Sequence, residues 1–165
     1  DYIKIPSAMN NDLELIDYVY NNFNKSVHIS LGMISKEYQE FLIKRLSCYK
    51  DRTVFYWTTS GYPVKFEELF LLELRDLFDK NLQIGYSGHN LGIAIDISAY
   101  SLGAYWIERH FTLDRTWKGS DQAASLEPMG LKKLCRDLLA TNNALSYKSS
   151  LTEDEIKNSK KLRRF

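Results

Sequence analysis

The chain has 165 residues, enough for one domain with a real core, since 44% of them are hydrophobic and 13% aromatic. A net charge of +1 gives no electrostatic reason to expect nucleic acid or a membrane surface as partner, and leaves a small substrate as the default. No apolar run approaches the roughly 20 residues a bilayer requires, and nothing reads as a secretory leader. The first residue is Asp1 rather than methionine, which predicts a piece of a longer protein. Cys48 and Cys135 match no metal-ligand or disulfide spacing. Both are therefore expected to be buried, reduced thiols of a cytoplasmic protein.

In chain order, the first β-favouring run is Tyr2–Ser7, followed by helical periodicity over Asp12–Asn22 with Asp12 at its start. Val27–Leu31 and a helix over Ser35–Cys48, opened by Ser35, come next. Thr53–Thr59 leads to helical periodicity over Lys65–Asp79, and Leu82–Ser87 to Leu91–Leu102. The last pair is Tyr105–Phe111 and Pro128–Leu145, with Pro128 suited to a first helical position. Strands alternating with helices predict an α/β fold of about five parallel βα units with right-handed crossovers. Several runs are apolar nearly throughout, as strands buried on both faces must be. Five units are too few to close a (β/α)8 barrel, and an open doubly wound sheet satisfies the same pattern. Periodicity leaves both open. The tail, Leu151–Phe165, is highly charged, with Lys160, Lys161, Arg163 and Arg164 near its end, and reads as a solvated helix or linker.

Alternation along two strands gathers polar groups. Gln83, Gly85, Ser87 and His89 share one face of the fourth run, and Trp106, Glu108 and His110 one face of the fifth. Such a face near a strand's C-terminal end is where a barrel places its chemistry. His89 and His110 end consecutive strands, so two imidazoles could converge on one divalent ion, with water or substrate completing the shell. A single strand-end histidine is ordinarily a hydrogen-bonded structural residue, and it is the pairing that points to a site. His28 has no such companions and is assigned to structure. Lys4, Ser7, Ser30, Thr59, Ser60 and Ser87 lie in or just after strand ends, where hydroxyls and one lysine would suit a phosphate. Gly85, Gly88 and Gly92 follow no nucleotide-binding spacing. The long polar stretch Arg115–Glu127 reads as a binding loop.

The run from Ile84 to Pro128, IGYSGHNLGIAIDISAYSLGAYWIERHFTLDRTWKGSDQAASLEP, resembles the signature of the sialic acid (N-acetylneuraminate) synthase family. IKIPSAMNN (Ile3–Asn11), HISLGMIS (His28–Ser35) and TTSGYP (Thr58–Pro63) resemble three further strand-end motifs of that family, in order. KKLRRF at the end is similar to the point where the family barrel runs into a small antifreeze-like domain.

The resemblance implies a partial (β/α)8 TIM barrel holding strands four to eight over residues 1–150. Residues 151–165 would be a linker toward an antifreeze-like domain outside this sequence. It implies condensation of phosphoenolpyruvate with N-acetylmannosamine, or a related N-acyl amino sugar, in sialic acid biosynthesis, by a carbon–carbon bond-forming transferase. By the same resemblance His89 and His110 bind Mn2+, Mg2+ or Co2+. Lys4, Ser7, Ser30, Ser60 and Ser87 hold the phosphate and carboxylate of phosphoenolpyruvate. Tyr62 and Asp121 contact the sugar, and Glu108 is the candidate acid or base. A homodimer of the full-length protein is implied, with the 165 residues alone inactive. Met9, Gln122 and Pro6 depart from the residues usual in the family. The alternatives are a truncated half-barrel that binds without turnover and a metal-dependent barrel hydrolase or aldolase. The latter would need a further metal ligand at a strand end.

Overall fold

The computed structural model describes residues 1–163; Arg164, named above in the charged tail, and Phe165 lie outside the described residues. Its strands are β1 (Tyr2–Ile5), β2 (Ser26–Ser30), β3 (Thr53–Trp57), β4 (Gln83–Gly88) and β5 (Ala104–Arg109). Its α-helices are α1 (Leu13–Asn22), α2 (Lys36–Arg45), α3 (Leu71–Asp79), α4 (Ala94–Ser101), α5 (Pro128–Ala144) and α6 (Glu153–Leu162).

All neighbouring strands pair in parallel, in the order β1-β2-β3-β4-β5. A doubly wound sheet reverses its strand order at a switch point, and this sheet does not. It is also strongly curved. Four steps of about 4.8 Å would set β1 and β5 about 19 Å apart in a flat sheet. Instead Lys4 Nζ on β1 lies 2.6 Å from Glu108 Oε2 on β5, and the rings of Tyr2 and Trp106 are 6.0 Å apart. Sequential order and curvature together make a half-barrel and remove the open-sheet alternative.

The two faces divide by chemistry. Ile5, Val27, Ile29, Phe55, Ile84 and Tyr86 point outward and pack against Ile16, Val19, Leu42, Leu74, Leu77 and Ala99 of the surrounding helices. Truncating a fully buried aliphatic such as Ile29 or Leu74 to alanine, each 0% exposed, costs about 2–5 kcal/mol. The alternate positions turn into the lumen. Gly85 belongs there because a Cβ would stand 2.6 Å from the Tyr56 ring.

Helix starts follow their caps. The Asp12 carboxylate accepts from the Leu15 N–H at 2.9 Å, and the Ser35 hydroxyl from the Tyr38 N–H at 3.3 Å. Bounds without such a cap depart more, at one end and at one start. The helix expected over Ser35–Cys48 stops at Arg45, and a 3-10 segment, Ser47–Arg52, leads into β3. The helix expected over Lys65–Asp79 is split, because Phe70 adopts a left-handed backbone (φ 47°) between a 3-10 turn, Phe66–Glu68, and α3. The cysteine expectation is wrong: Cys48 and Cys135 are both exposed. Only Leu134 of α5 is buried, and the next residue is turned about 100° away from it, while the 3-10 turn carrying Cys48 buries none of its residues. Within the charged tail, Glu153–Leu162 is helical as α6, opened by a capping box between Thr152 and Glu155, and buries none of its residues. No helix among the described residues is long and apolar enough to cross a membrane.

Candidate active site

One cleft of about 340 Å³ opens at the C-terminal ends of the strands and is lined by Lys4, Ser7, Ser30, Tyr62, Ser87, His89, Glu108 and His110. These eight side chains, drawn from the five strands and the segments that follow them, meet because every strand of a parallel barrel ends at the same rim. Pro6, Ala8 and Met33 complete its wall.

The two histidine rings lie 5.3 Å apart, centre to centre, at 60° to each other. Metal–nitrogen bonds of roughly 2.1 Å put the centres of two imidazoles on one ion roughly 4.5–6.5 Å apart, so the pair is within reach of a shared ligand. His89 Nδ1 lies 2.9 Å from the Thr59 carbonyl. A carbonyl only accepts, so Nδ1 carries the proton and Nε2 keeps its lone pair. Burial lowers the pKa of His89 against the pull of that hydrogen bond, which favours the neutral, ligating form. His110 Nδ1 stands 3.6 Å from Asp121 Oδ2, bringing Asp121 to the same corner. No group of three or more His, Cys, Asp or Glu converges on a metal position among the described residues. The two imidazoles therefore fit a divalent ion that takes further ligands from water or substrate.

Glu108 is pinned from two sides. Lys4 Nζ donates to its Oε2 at 2.6 Å and Ser87 Oγ to its Oε1 at 2.7 Å. Burial alone would raise its pKa, but the Lys4 and Ser87 hydrogen bonds and the Lys4 charge outweigh it, and the net shift is downward. At neutral pH Glu108 is a carboxylate, able to accept a proton rather than supply one. Lys4 also sits over the Tyr56 ring, 4.2 Å from its centre. The Tyr62 ring covers both histidines, 4.4 Å from His89 and 5.6 Å from His110. Its hydroxyl pKa is raised by burial and by the charges of Asp121 and Glu108.

A second corner is built of hydroxyls. Ser7 Oγ and Ser30 Oγ are 2.7 Å apart, and Asn10 donates at 2.8 Å to the carbonyls of both Ser30 and Gly32. A Cβ on Gly32 would lie 2.6 Å from Ser7 Oγ and 3.0 Å from Ser60 Oγ. Ser60 is thus beside this corner although it does not line the cleft, and its buried hydroxyl has no hydrogen-bond partner among the described residues. Thr59 contributes its carbonyl to His89, while its hydroxyl turns away to Glu68.

His28 needs correction. It has companions: Tyr2 stacks on it at 4.1 Å, Trp106 meets it edge-on at 4.7 Å, and Tyr56 Oη and Ser26 Oγ each lie 3.1 Å from a ring nitrogen. The structural assignment stands, because His28 is fully buried among these partners and does not line the cleft. Residues the sequence did not single out are Asn10, Tyr56, Thr58, Asp96 and Arg109. Arg109 falls on the outward, apolar side of β5, so only alternation broken by a charge could have drawn attention to it.

Residues 1–150 match the model of the NeuB family. The chain belongs to the NeuB family. It is 37% identical over 147 residues to the human N-acetylneuraminate-9-phosphate synthase, covering 87% of this chain and 40% of that protein. It is also 37% identical over 147 residues to the N,N'-diacetyllegionaminic acid synthase of Campylobacter jejuni, covering 86% of this chain and 43% of that one. This NeuB-family chain thus spans about two fifths of the length of the curated relatives it matches. Among solved structures, the N-acetylneuraminic acid (sialic acid) synthetase of Leptospira borgpetersenii in complex with citrate superposes with a TM-score of 0.82 at 29% identity, over 99% of this chain and 59% of that one. The NeuB-family relatives named here are sugar-acid synthases, and the resemblance read from the strand-end motifs is the family the chain belongs to.

Proposed function

We propose that this chain forms strands four to eight of the (β/α)8 barrel of a NeuB-type synthase that condenses phosphoenolpyruvate with N-acetylmannosamine, or a related N-acyl amino sugar. The observation that carries this reading is the single cleft joining Lys4 and the serine hydroxyls to the His89–His110 pair. One side suits an anion and the other an ion that activates a carbonyl.

A divalent ion held by His89 and His110, of the Mn2+, Mg2+ or Co2+ type, would polarise the aldehyde of the open-chain sugar as a Lewis acid. Carbon 3 of phosphoenolpyruvate attacks that aldehyde, a carbon–carbon bond forms, the aldehyde oxygen takes up a proton, and positive charge develops at carbon 2. Water adds at carbon 2 and releases a proton, for which the Glu108 carboxylate is the acceptor. The carbon–oxygen bond to phosphate then breaks as the carbon 2 hydroxyl gives its proton to the departing phosphate, leaving a ketone and hydrogen phosphate. Lys4 and the hydroxyls of Ser7, Ser30 and Ser60 hold the phosphate and carboxylate and offset their charge throughout. Ser87 keeps Glu108 in place, while Tyr62 and Asp121 face the sugar.

The test is product formation by the full-length polypeptide with Mn2+, phosphoenolpyruvate and N-acetylmannosamine. Activity is expected, together with its loss in EDTA and in the His89→Ala, His110→Ala double variant. Undiminished turnover in that double variant would overturn the ligand assignment.

A further inference from the structure

Behind the two histidines, on the helix side of the sheet, lies a buried ion pair that none of the chemistry above uses. Arg109 Nη1 lies 2.6 Å from Asp96 Oδ2, and their side chains are 2% and 0% exposed. We propose that Arg109 is a positioning residue that locks the His89 and His110 strand ends into one arrangement, setting the affinity and geometry of the divalent-ion site. This rests on the reading of His89 and His110 as ligands.

The guanidinium serves three backbone carbonyls besides the carboxylate. Nη1 also donates to Gly92 O at 2.7 Å, and Nη2 donates to Asn90 O at 2.7 Å and Ala124 O at 3.0 Å. Asn90 and Gly92 belong to the turn that leaves His89. Ala124 belongs to the returning loop, whose Leu126 N–H donates to the His110 carbonyl at 2.8 Å. Arg109 itself precedes His110. One side chain therefore ties the segment after one histidine to the segment that brackets the other.

Close packing makes the tie stiff. A Cβ on Gly88, the residue before His89, would lie 2.8 Å from Asp96 Oδ1 and 2.9 Å from Arg109 Cδ, so β4 runs hard against the pair. Stability is a weak reason to keep such a pair, because desolvation consumes most of its Coulombic gain and a well-packed apolar pair is often no worse. A lysine could neutralise Asp96 but could not span three carbonyls with a planar fork. The fork is the part of Arg109 that the geometry requires.

The experiment is Mn2+ binding to the full-length polypeptide, followed by the electron paramagnetic resonance of the free ion. The variants are Arg109→Lys, the apolar pair Asp96→Leu with Arg109→Met, and the surface control Arg45→Lys. Arg109→Lys is expected to fold and to bind Mn2+ about 10–100-fold more weakly, with Arg45→Lys unchanged. If Arg109→Lys does not fold, the apolar pair, which keeps the space filled, is expected to show the same weakening. Wild-type affinity in either folded Arg109 variant would overturn the proposal. The metal-independent readout is the histidine ring 1H–13C spectrum, in which His89 and His110 are expected to move in Arg109→Lys while His28 stays. Should the wild type itself fail to bind Mn2+, the ligand reading is lost. The ring spectrum then decides the clamp alone, and unmoved His89 and His110 signals overturn it.

Discussion

Glu108 is held by Lys4 and Ser87 in a way that fixes both its orientation and its charge. Replacing it with glutamine keeps the shape and removes the carboxylate. Turnover of the full-length protein is expected to fall by about a hundredfold or more, whereas the thermal midpoint changes little, since the amide oxygen can still accept from Lys4 and Ser87 in the carboxylate's place. A large loss of stability with turnover intact would contradict this role. His28 carries a different signature. Burial, then the charge of Lys4, lowers its pKa to about 4. Its native form thus stays neutral over a range in which the unfolded chain, with a histidine pKa of about 6.5, takes up a proton. The stability it contributes is complete above about pH 6.5 and is lost as pH falls toward 4, by up to about 3 kcal/mol. Urea unfolding of wild type and His28→Gln should therefore diverge between pH 7 and 4, with the flatter profile in the variant; parallel profiles would refute it. Gly85→Ala should cost about 1–3 kcal/mol, since its methyl would meet the Tyr56 ring, and a thermal melt is enough to check it.

At the level of elements, the starts of α1 and α2 are written in single side chains, Asp12 and Ser35. Asp12→Ala is expected to cost about 1 kcal/mol in denaturant unfolding, without altering the cleft, which Asp12 does not line. Other bounds carry no such mark. The left-handed Phe70 just before α3 and the 3-10 segment that follows α2 interrupt the helical period where no proline or capping side chain announces it, so periodicity overran both. The same limit explains the cysteines. Helical periodicity says which residues share a face, but whether Cys135 lies inside or beside the one-residue buried stripe of α5 depends on what the helix packs against.

For the whole molecule, the five parallel strands among the described residues leave β1 and β5 each with one edge that pairs with no other described strand, and open the lumen between them. Exposed edges of this kind invite association. The 165 residues by themselves are expected to self-associate on gel filtration and to give no product with Mn2+, phosphoenolpyruvate and N-acetylmannosamine. Measurable turnover by the purified chain would show that the lumen needs no further strands to work. The half-barrel itself is visible in one distance, since Lys4 reaches Glu108 across the full width of the sheet only because the sheet curves.

Sequence alone determined the βα alternation, the starts of α1, α2 and α5, the polar face of β4 and β5, and the family through its strand-end motifs, because each of these is local: a period, a cap, or a short run of residues. It also marked His89, His110, Glu108, Lys4 and the serines as strand-end groups. Only the tertiary structure decided that the sheet curves instead of lying open, that Lys4 and Glu108 pair across it, and that Arg109 and Asp96 sit buried together behind the site. Those facts depend on which residues, far apart in the chain, are brought within a few ångströms, and no local pattern encodes that distance.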